Sequence, residues 1–190
     1  MEIKHFPDPA LRRKGEDVKS IGNDEKRVLA DMAETMYMKG GVGLAAIQVG
    51  IRRNMVVIDI GDGLRKLINP IILKKEGSET QEEGCLSVPE KCVNVKRSKK
   101  VVVDYLNEDG QAIRLSAEGL LARVIQHEID HLLGKLIVDY LNPLKKICNS
   151  LTLRPFDKLR AVPSKVDGRQ KLRVNPEQIK CVEGLTTREL

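Results

Sequence analysis

The residues with the clearest chemical meaning lie in the run His127-Glu128-Ile129-Asp130-His131. Two histidines four apart stand one turn above each other on one face of a helix, so both imidazoles can reach a single metal ion. Glu128 lies about 100° round the helix from His127, close enough to touch a water at that metal without ligating the metal itself. The chain has only three histidines, and two of them fall at this spacing.

A catalytic metal usually takes three protein ligands and keeps a further position open. Ile137 occupies the place where a third histidine would follow Gly134, and no Asp or Glu lies between Asp139 and Asp157. His5 is remote in sequence and reads as a surface residue. Cys85 and Cys92 remain as thiolate candidates, with Asp139 as a carboxylate alternative. A thiolate suits Zn²⁺ or Fe²⁺. Cys85 sits in Glu83-Gly84-Cys85-Leu86-Ser87, where the preceding glycine lets the backbone come close to a site. A third element is the small-residue run Gly41–Gln48: its glycines and alanines leave room for a substrate backbone, and Gln48 offers an amide to a developing oxyanion. The run is not a phosphate cradle, since no Gly-Lys-Ser/Thr follows it. Asp130 reads as a helix-surface charge. Gln126 reads equally as a support for His127 or as a solvent-facing side chain.

These groups need a scaffold to bring them together. The chain has 190 residues, one domain's worth with an appendage. Hydrophobic residues make up 41% of it and aromatic ones 3%, so aliphatic side chains must form the core, and base stacking on single-stranded nucleic acid is excluded as a binding mode. No apolar run approaches the roughly 18–20 residues of a membrane span. Four cysteines without an apolar leader lead to the expectation of a reducing cytoplasm, with any functional cysteine a ligand or nucleophile rather than half of a disulfide. All of the +6 net charge falls in residues 142–190; residues 1–141 balance. The expected organisation is a catalytic domain over 1–150 and a basic, poorly ordered tail over 151–190, usable for docking to a polyanion.

The spacing of Val28, Leu29, Met32 and Met36 predicts an early amphipathic helix over Asp24–Met38, capped by Asn23 or Asp24 and ended by Gly40-Gly41. Strands are predicted at 55–60, at 67–73 with an interruption at Asn69-Pro70, and at 101–106. The last returns antiparallel through Asn107-Glu108-Asp109-Gly110 into 112–115. Residues 76–92 read as irregular. Ser116 is expected to cap a late helix over Ala117–Leu133, stopped by Gly134. The fold class is therefore α+β, with antiparallel or mixed strands packed around the late helix that carries the two histidines.

Together, Gly-Val-Gly-Leu-Ala-Ala-Ile-Gln at 41–48, Glu-Gly-Cys-Leu-Ser at 83–87 and Gln-His-Glu-Ile-Asp-His at 126–131, in that order, resemble the peptide deformylase family. The opening Phe6-Pro7-Asp8-Pro9-Ala10-Leu11-Arg12 and Val95-Lys96-Arg97 are similar to the family as well, and the resemblance extends to about residue 147. It implies a metallohydrolase acting on a linear amide, removing the formyl group from the N-terminal formylmethionine of nascent polypeptides as formate. It implies Cys85, His127 and His131 as ligands of one divalent metal, Fe²⁺ foremost with Zn²⁺ tolerated. Glu128 becomes the general acid/base for the metal's water. Gln48 and the Leu86 N–H become oxyanion donors, and Gly43, Leu44, Leu120 and Val124 shape the methionine pocket. Partners are then formylmethionyl nascent peptides and, through the basic tail, the ribosome; no membrane or DNA partner is expected. Many relatives have proline where Ile47 stands. The direction of Arg123, one residue before a pocket position, is not readable, and 150–190 has no recognised counterpart.

Two other readings compete. One is a metallopeptidase acting on unmodified N-termini. The other is a non-enzymatic, ribosome-associated RNA binder with a closed structural metal site.

Overall fold

The computed structural model describes residues 1–141, so the predicted tail over 151–190 lies outside the described residues. A five-stranded antiparallel sheet forms the centre. Its strands are β1 (Gly43–Ala45), β2 (Met55–Ile58), β3 (Arg65–Glu76), β6 (Lys100–Leu106) and β7 (Ala112–Glu118), in the spatial order β1-β2-β3-β6-β7. A separate two-stranded antiparallel sheet pairs β4 (Glu79–Glu83) with β5 (Val93–Arg97). Helix α1 spans Asn23–Met38 and α2 spans Gly119–Leu132. The mixed α+β class is as expected.

All four residues of β2 are buried. A strand covered on both faces shows a continuous apolar run instead of an alternating one. Successive side chains then go to opposite cores. Met55 and Val57 join Ile68 and the α1 residues Val28, Leu29, Met32 and Met36. Val56 and Ile58 join Leu67, Val101, Val103 and the α2 residues Leu121, Val124 and Ile125. The sheet therefore separates α1 from α2. A third cluster, Leu11, Val88, Val93, Val95, Leu136, Ile137 and Val138, packs the two-stranded sheet against the segment after α2.

Several local expectations need correction. The late helix begins at Gly119 instead of Ala117. Ser116 pairs with Val102 in β7, where strand pairing and burial of Ala117 override its capping preference. Gly119, at φ 58°, then turns the strand into the helix in a conformation that favours glycine. Helix α1 is capped by neither Asn23 nor Asp24: Gly22 is the N-cap residue, and its N–H donates to the Glu25 carboxylate at 2.8 Å. The stretch read as irregular contains β4. The interruption expected at Asn69-Pro70 is a register shift inside one strand: Ile68 pairs with Leu106 and Ile71 with Asp104, and at the irregularity Asn69 takes φ 50° while its side-chain amide bonds both the N–H and the C=O of Val18, at 2.9 Å each. Asparagine tolerates that left-handed backbone better than most residues do.

Candidate active site

Helix α2 presents His127 and His131 on one face, as the four-residue spacing requires. Their Nε2 atoms lie 3.2 Å apart, with the rings edge to face. Cys85 follows β4 by two residues, and its Sγ lies 3.2 Å from His131 Nε2. The ligand atoms of Cys85, His127 and His131 all fall within 4.8 Å of one another.

The protonation pattern around these atoms is informative. The Glu83 carboxylate sits 3.0 Å from His127 Nδ1. Burial would raise the Glu83 pKa, but hydrogen bonds from His127 and Arg97 outweigh it and hold the group down to about 2. An ionised carboxylate only accepts, so Nδ1 carries a proton. Burial would lower the His127 pKa, but hydrogen bonds to Cys85 and Glu83 hold it well above its usual value, and a metal at Nε2 would take the place of the second proton. Two imidazole nitrogens and a sulfur crowded together need a positive charge between them, which a proton or a metal ion can supply. Metal bonds of about 2.0–2.3 Å at tetrahedral angles put ligand atoms roughly 3.3–3.6 Å apart, close to the spacing found here. The donor set thus fits one divalent ion such as Zn²⁺ or Fe²⁺.

Glu128 completes the arrangement. It is buried, and its Oε2 has no hydrogen-bond partner among the described residues. Burial is the main cause lifting its carboxyl to about 7, which leaves it able to take and return a proton near neutrality. Gln48 is also buried. Its Oε1 accepts from the Ala45 N–H at 2.8 Å, and this fixes Nε2 on the other side, 3.2 Å from Ser87 Oγ and 3.8 Å from Cys85 Sγ. Leu86 lies in the turn closed by the Val88 N–H on the Cys85 carbonyl at 2.9 Å.

The four residues assigned to the methionine pocket divide. Gly43 on β1 lies against Val124 and Glu128 on α2, and Leu120 is half-buried at the core that contains Val124. The Leu44 side chain instead sits in the opposite core with Met32 and Met36, because it follows Gly43 on a strand and points to the other face. Any pocket contribution from Leu44 is therefore through its backbone. A Cβ on Gly43 would lie 2.8 Å from Val124 Cγ1 and inside contact distance of the Glu128 carboxylate. Gly43→Ala is accordingly expected to displace Glu128 and lower kcat at least tenfold while leaving metal content near one per chain, as checked by steady-state kinetics and metal analysis.

Neither of the other two ligand candidates enters the group. Cys92 lies outside the three-donor group among the described residues. Asp139 accepts a bidentate ion pair from Arg12. His5 is exposed, as expected. Asp130 is not a free surface charge: it accepts from Arg97 Nη1 and from the Tyr140 hydroxyl. Gln126 is buried, exchanging two hydrogen bonds with the Ser98 backbone. Glu83, Arg97 and Arg123 received no role from the sequence, yet they form the buried charged support of His127. The acidic and basic partners come from β4, β5 and α2, and no local spacing relates them.

A partly buried Cys-His-His donor set beside a buried carboxylate, at the junction of a helix and an antiparallel sheet, defines a candidate single-metal hydrolase. Residues 1–147 match the polypeptide deformylase family, and the chain belongs to it. Among solved structures it is similar to the peptide deformylase of Thermotoga maritima at 45% identity and TM-score 0.73, over 75% of this chain and 97% of that one. The enzyme of Legionella pneumophila matches at 41% identity and TM-score 0.75, over 78% and 90%. That of Synechococcus elongatus, solved in complex with actinonin, matches at 40% identity and TM-score 0.76, over 80% and 84%. The protein is thus an enzyme of the deformylase class. Among the described residues no helix is long and apolar enough to cross a membrane.

Proposed function

We propose that the enzyme removes the formyl group from the N-terminal formylmethionine of nascent polypeptides, releasing formate and a free amine in the cytoplasm. The observation that carries this reading is the convergence of the Cys85, His127 and His131 donor atoms next to the buried, unpartnered Glu128 oxygen. Cys85, His127 and His131 would hold one divalent metal, Fe²⁺ in preference to Zn²⁺, whose chemistry is to polarise the formyl carbonyl and acidify water.

The chain's own groups account for the rest. Glu128 accepts a proton from the attacking water as the C–O bond forms, and then returns it to the nitrogen of the departing amine as the C–N bond breaks. Charge developing on the formyl oxygen is met by Gln48 Nε2, fixed by the Ala45–Oε1 bond, and by the Leu86 N–H. Gly43, Leu120 and Val124, with the Leu44 backbone, shape the methionine pocket. β1 is an edge strand, so an extended peptide can add along it. A formyl carbon bears only hydrogen. A narrow site admits it and rejects the bulkier acyl carbon of a peptide bond, which separates this reaction from proteolysis.

The test is formate release from a formyl-Met tripeptide, run beside the unformylated peptide with metal analysis of the same sample. Formate from the first and no cleavage of the second is expected. Cleavage of the unformylated peptide would move the assignment to a peptidase, and a metal with no exchangeable water and no turnover would favour the structural-metal reading. We further propose that the basic tail contacts the ribosome. Deleting 150–190 is expected to leave tripeptide turnover unchanged and weaken ribosome binding in a salt-sensitive way, measured by co-sedimentation at two ionic strengths.

A further inference from the structure

Arg123 is buried on α2, one turn before His127, and its hydrogen bonds go to the two-stranded sheet and to none of the three metal-ligand side chains. Its Nη1 donates to Glu83 Oε1 at 2.7 Å and to the Val95 carbonyl at 3.1 Å, and its Nη2 donates to the Glu79 carbonyl at 3.1 Å. One guanidinium therefore grips the two-stranded sheet at three points: the start of β4, the end of β4 and the middle of β5.

This grip matters because of the topology. The β4–β5 pair shares no strand pairing with the five-stranded sheet. A lone two-stranded hairpin is marginal and takes its position from what it packs on. Cys85 hangs two residues beyond β4, whereas both histidines belong to α2. The relation of the sulfur to the imidazoles is thus set by the apolar cluster under the hairpin and by the polar side chains that join the hairpin to the helix. Arg123 is one. The others are Arg97, which spans Glu83 and Asp130, and Gln126, which is bonded to Ser98. Arg123 also supplies one of the donors that satisfy Glu83, the carboxylate that orients His127.

We propose that Arg123 is a positioning residue that clamps the Cys85-bearing hairpin onto the histidine helix and so presets the three-donor geometry before any metal arrives. This rests on the reading of Cys85, His127 and His131 as the metal ligands. Outer-shell groups that orient ligands typically change metal affinity by about 10–100-fold. Arginine's planar fork reaches three acceptors at once, which a lysine's single ammonium does not.

The experiment compares wild type, Arg123→Met, Arg123→Lys and a remote core control, Val28→Ala, matched for loss of thermal stability. Metal release to a chelator is measured at a temperature where circular dichroism shows every variant folded. Amide exchange over 79–87 is measured on the metal-free proteins. The expected result is metal release at least tenfold faster in Arg123→Met than in the control, with faster exchange over 79–87 and unchanged exchange in α1. Arg123→Lys is expected to fall between wild type and Arg123→Met. If Arg123→Met does not fold, Arg123→Lys alone decides, with faster release than the control required. Release equal to that of the control, or exchange over 79–87 equal to wild type, overturns the clamp and leaves Arg123 a stabiliser of the fold only. Metal analysis of wild type separates the two readings. A wild type that holds no metal through Cys85 and the histidines removes the metal-site reading, and the clamp with it.

Discussion

Glu128→Ala is expected to retain its metal and lose deformylation, with kcat lowered by about 10³ or more. General acid–base groups typically contribute about 10²–10⁴ in rate, and here one carboxylate is asked to move the same proton twice, from water and then to the amine. Removing it should leave Cys85, His127 and His131 in place, since among the described residues the Glu128 side chain makes no hydrogen bond to any of the three. Stability should not fall with activity. The carboxyl is buried, burial raises its pKa to about 7, and Oε2 has no partner among the described residues, so the folded state bears a desolvation cost at this position. Glu128→Gln, nearly isosteric, is therefore expected to melt at or above the wild-type temperature while remaining inactive. This is the pattern of a group kept for chemistry at the expense of stability. Metal content, thermal melting and formate release on one preparation check all three statements. Turnover within tenfold of wild type in either variant would remove Glu128 from its assigned role.

The site and its support were legible in the sequence to different degrees, and the reason is physical. His127 and His131 are related by helix geometry alone, so their convergence could be read from a spacing of four. Cys85 is brought to them by a hairpin whose first strand, β4, carries Glu79, Thr80, Gln81, Glu82 and Glu83. That strand has no apolar alternation because it lies outside the two main cores, and the sequence therefore suggested irregular chain there. The same hairpin carries Glu83 and Arg97, whose roles depend on long-range pairing with Arg123, His127 and Asp130. Charged residues in a helix usually indicate solvent, so Asp130 reads as a surface charge although it pairs with Arg97 and Tyr140, and the direction of Arg123 is not readable. The central strands were legible because burial on both faces leaves an apolar run, as in Met55–Ile58. The start of α2 was misplaced because Ser116 has a strong capping preference, and only the pairing with β6 holds it in a strand.

Cys85→Ser should strip the metal far more completely than Cys92→Ser. The two cysteines are seven residues apart, and composition alone does not distinguish them. In the fold only Cys85 lies against the imidazoles, at 3.2 Å from His131 Nε2, and it is the free cysteine among the described residues. A thiolate is a soft, anionic donor for Fe²⁺ or Zn²⁺. A serine hydroxyl at the same place is neutral near pH 7, so the substitution removes both the matched softness and one negative charge from the donor set. The loss should exceed the roughly 10–100-fold typical of outer-shell changes, putting affinity for Zn²⁺ or Fe²⁺ at least about 100-fold below wild type. Cys92→Ser leaves all three donors untouched, and its metal content should stay near one per chain. The imidazole orientation supplies an internal control, because the Glu83 carboxylate continues to hold His127 whichever atom stands at position 85. Residual metal in Cys85→Ser should therefore be bound through the two histidines and be lost to a weak chelator. Equal metal content in the two variants would place the third donor elsewhere and undo the assignment of Cys85.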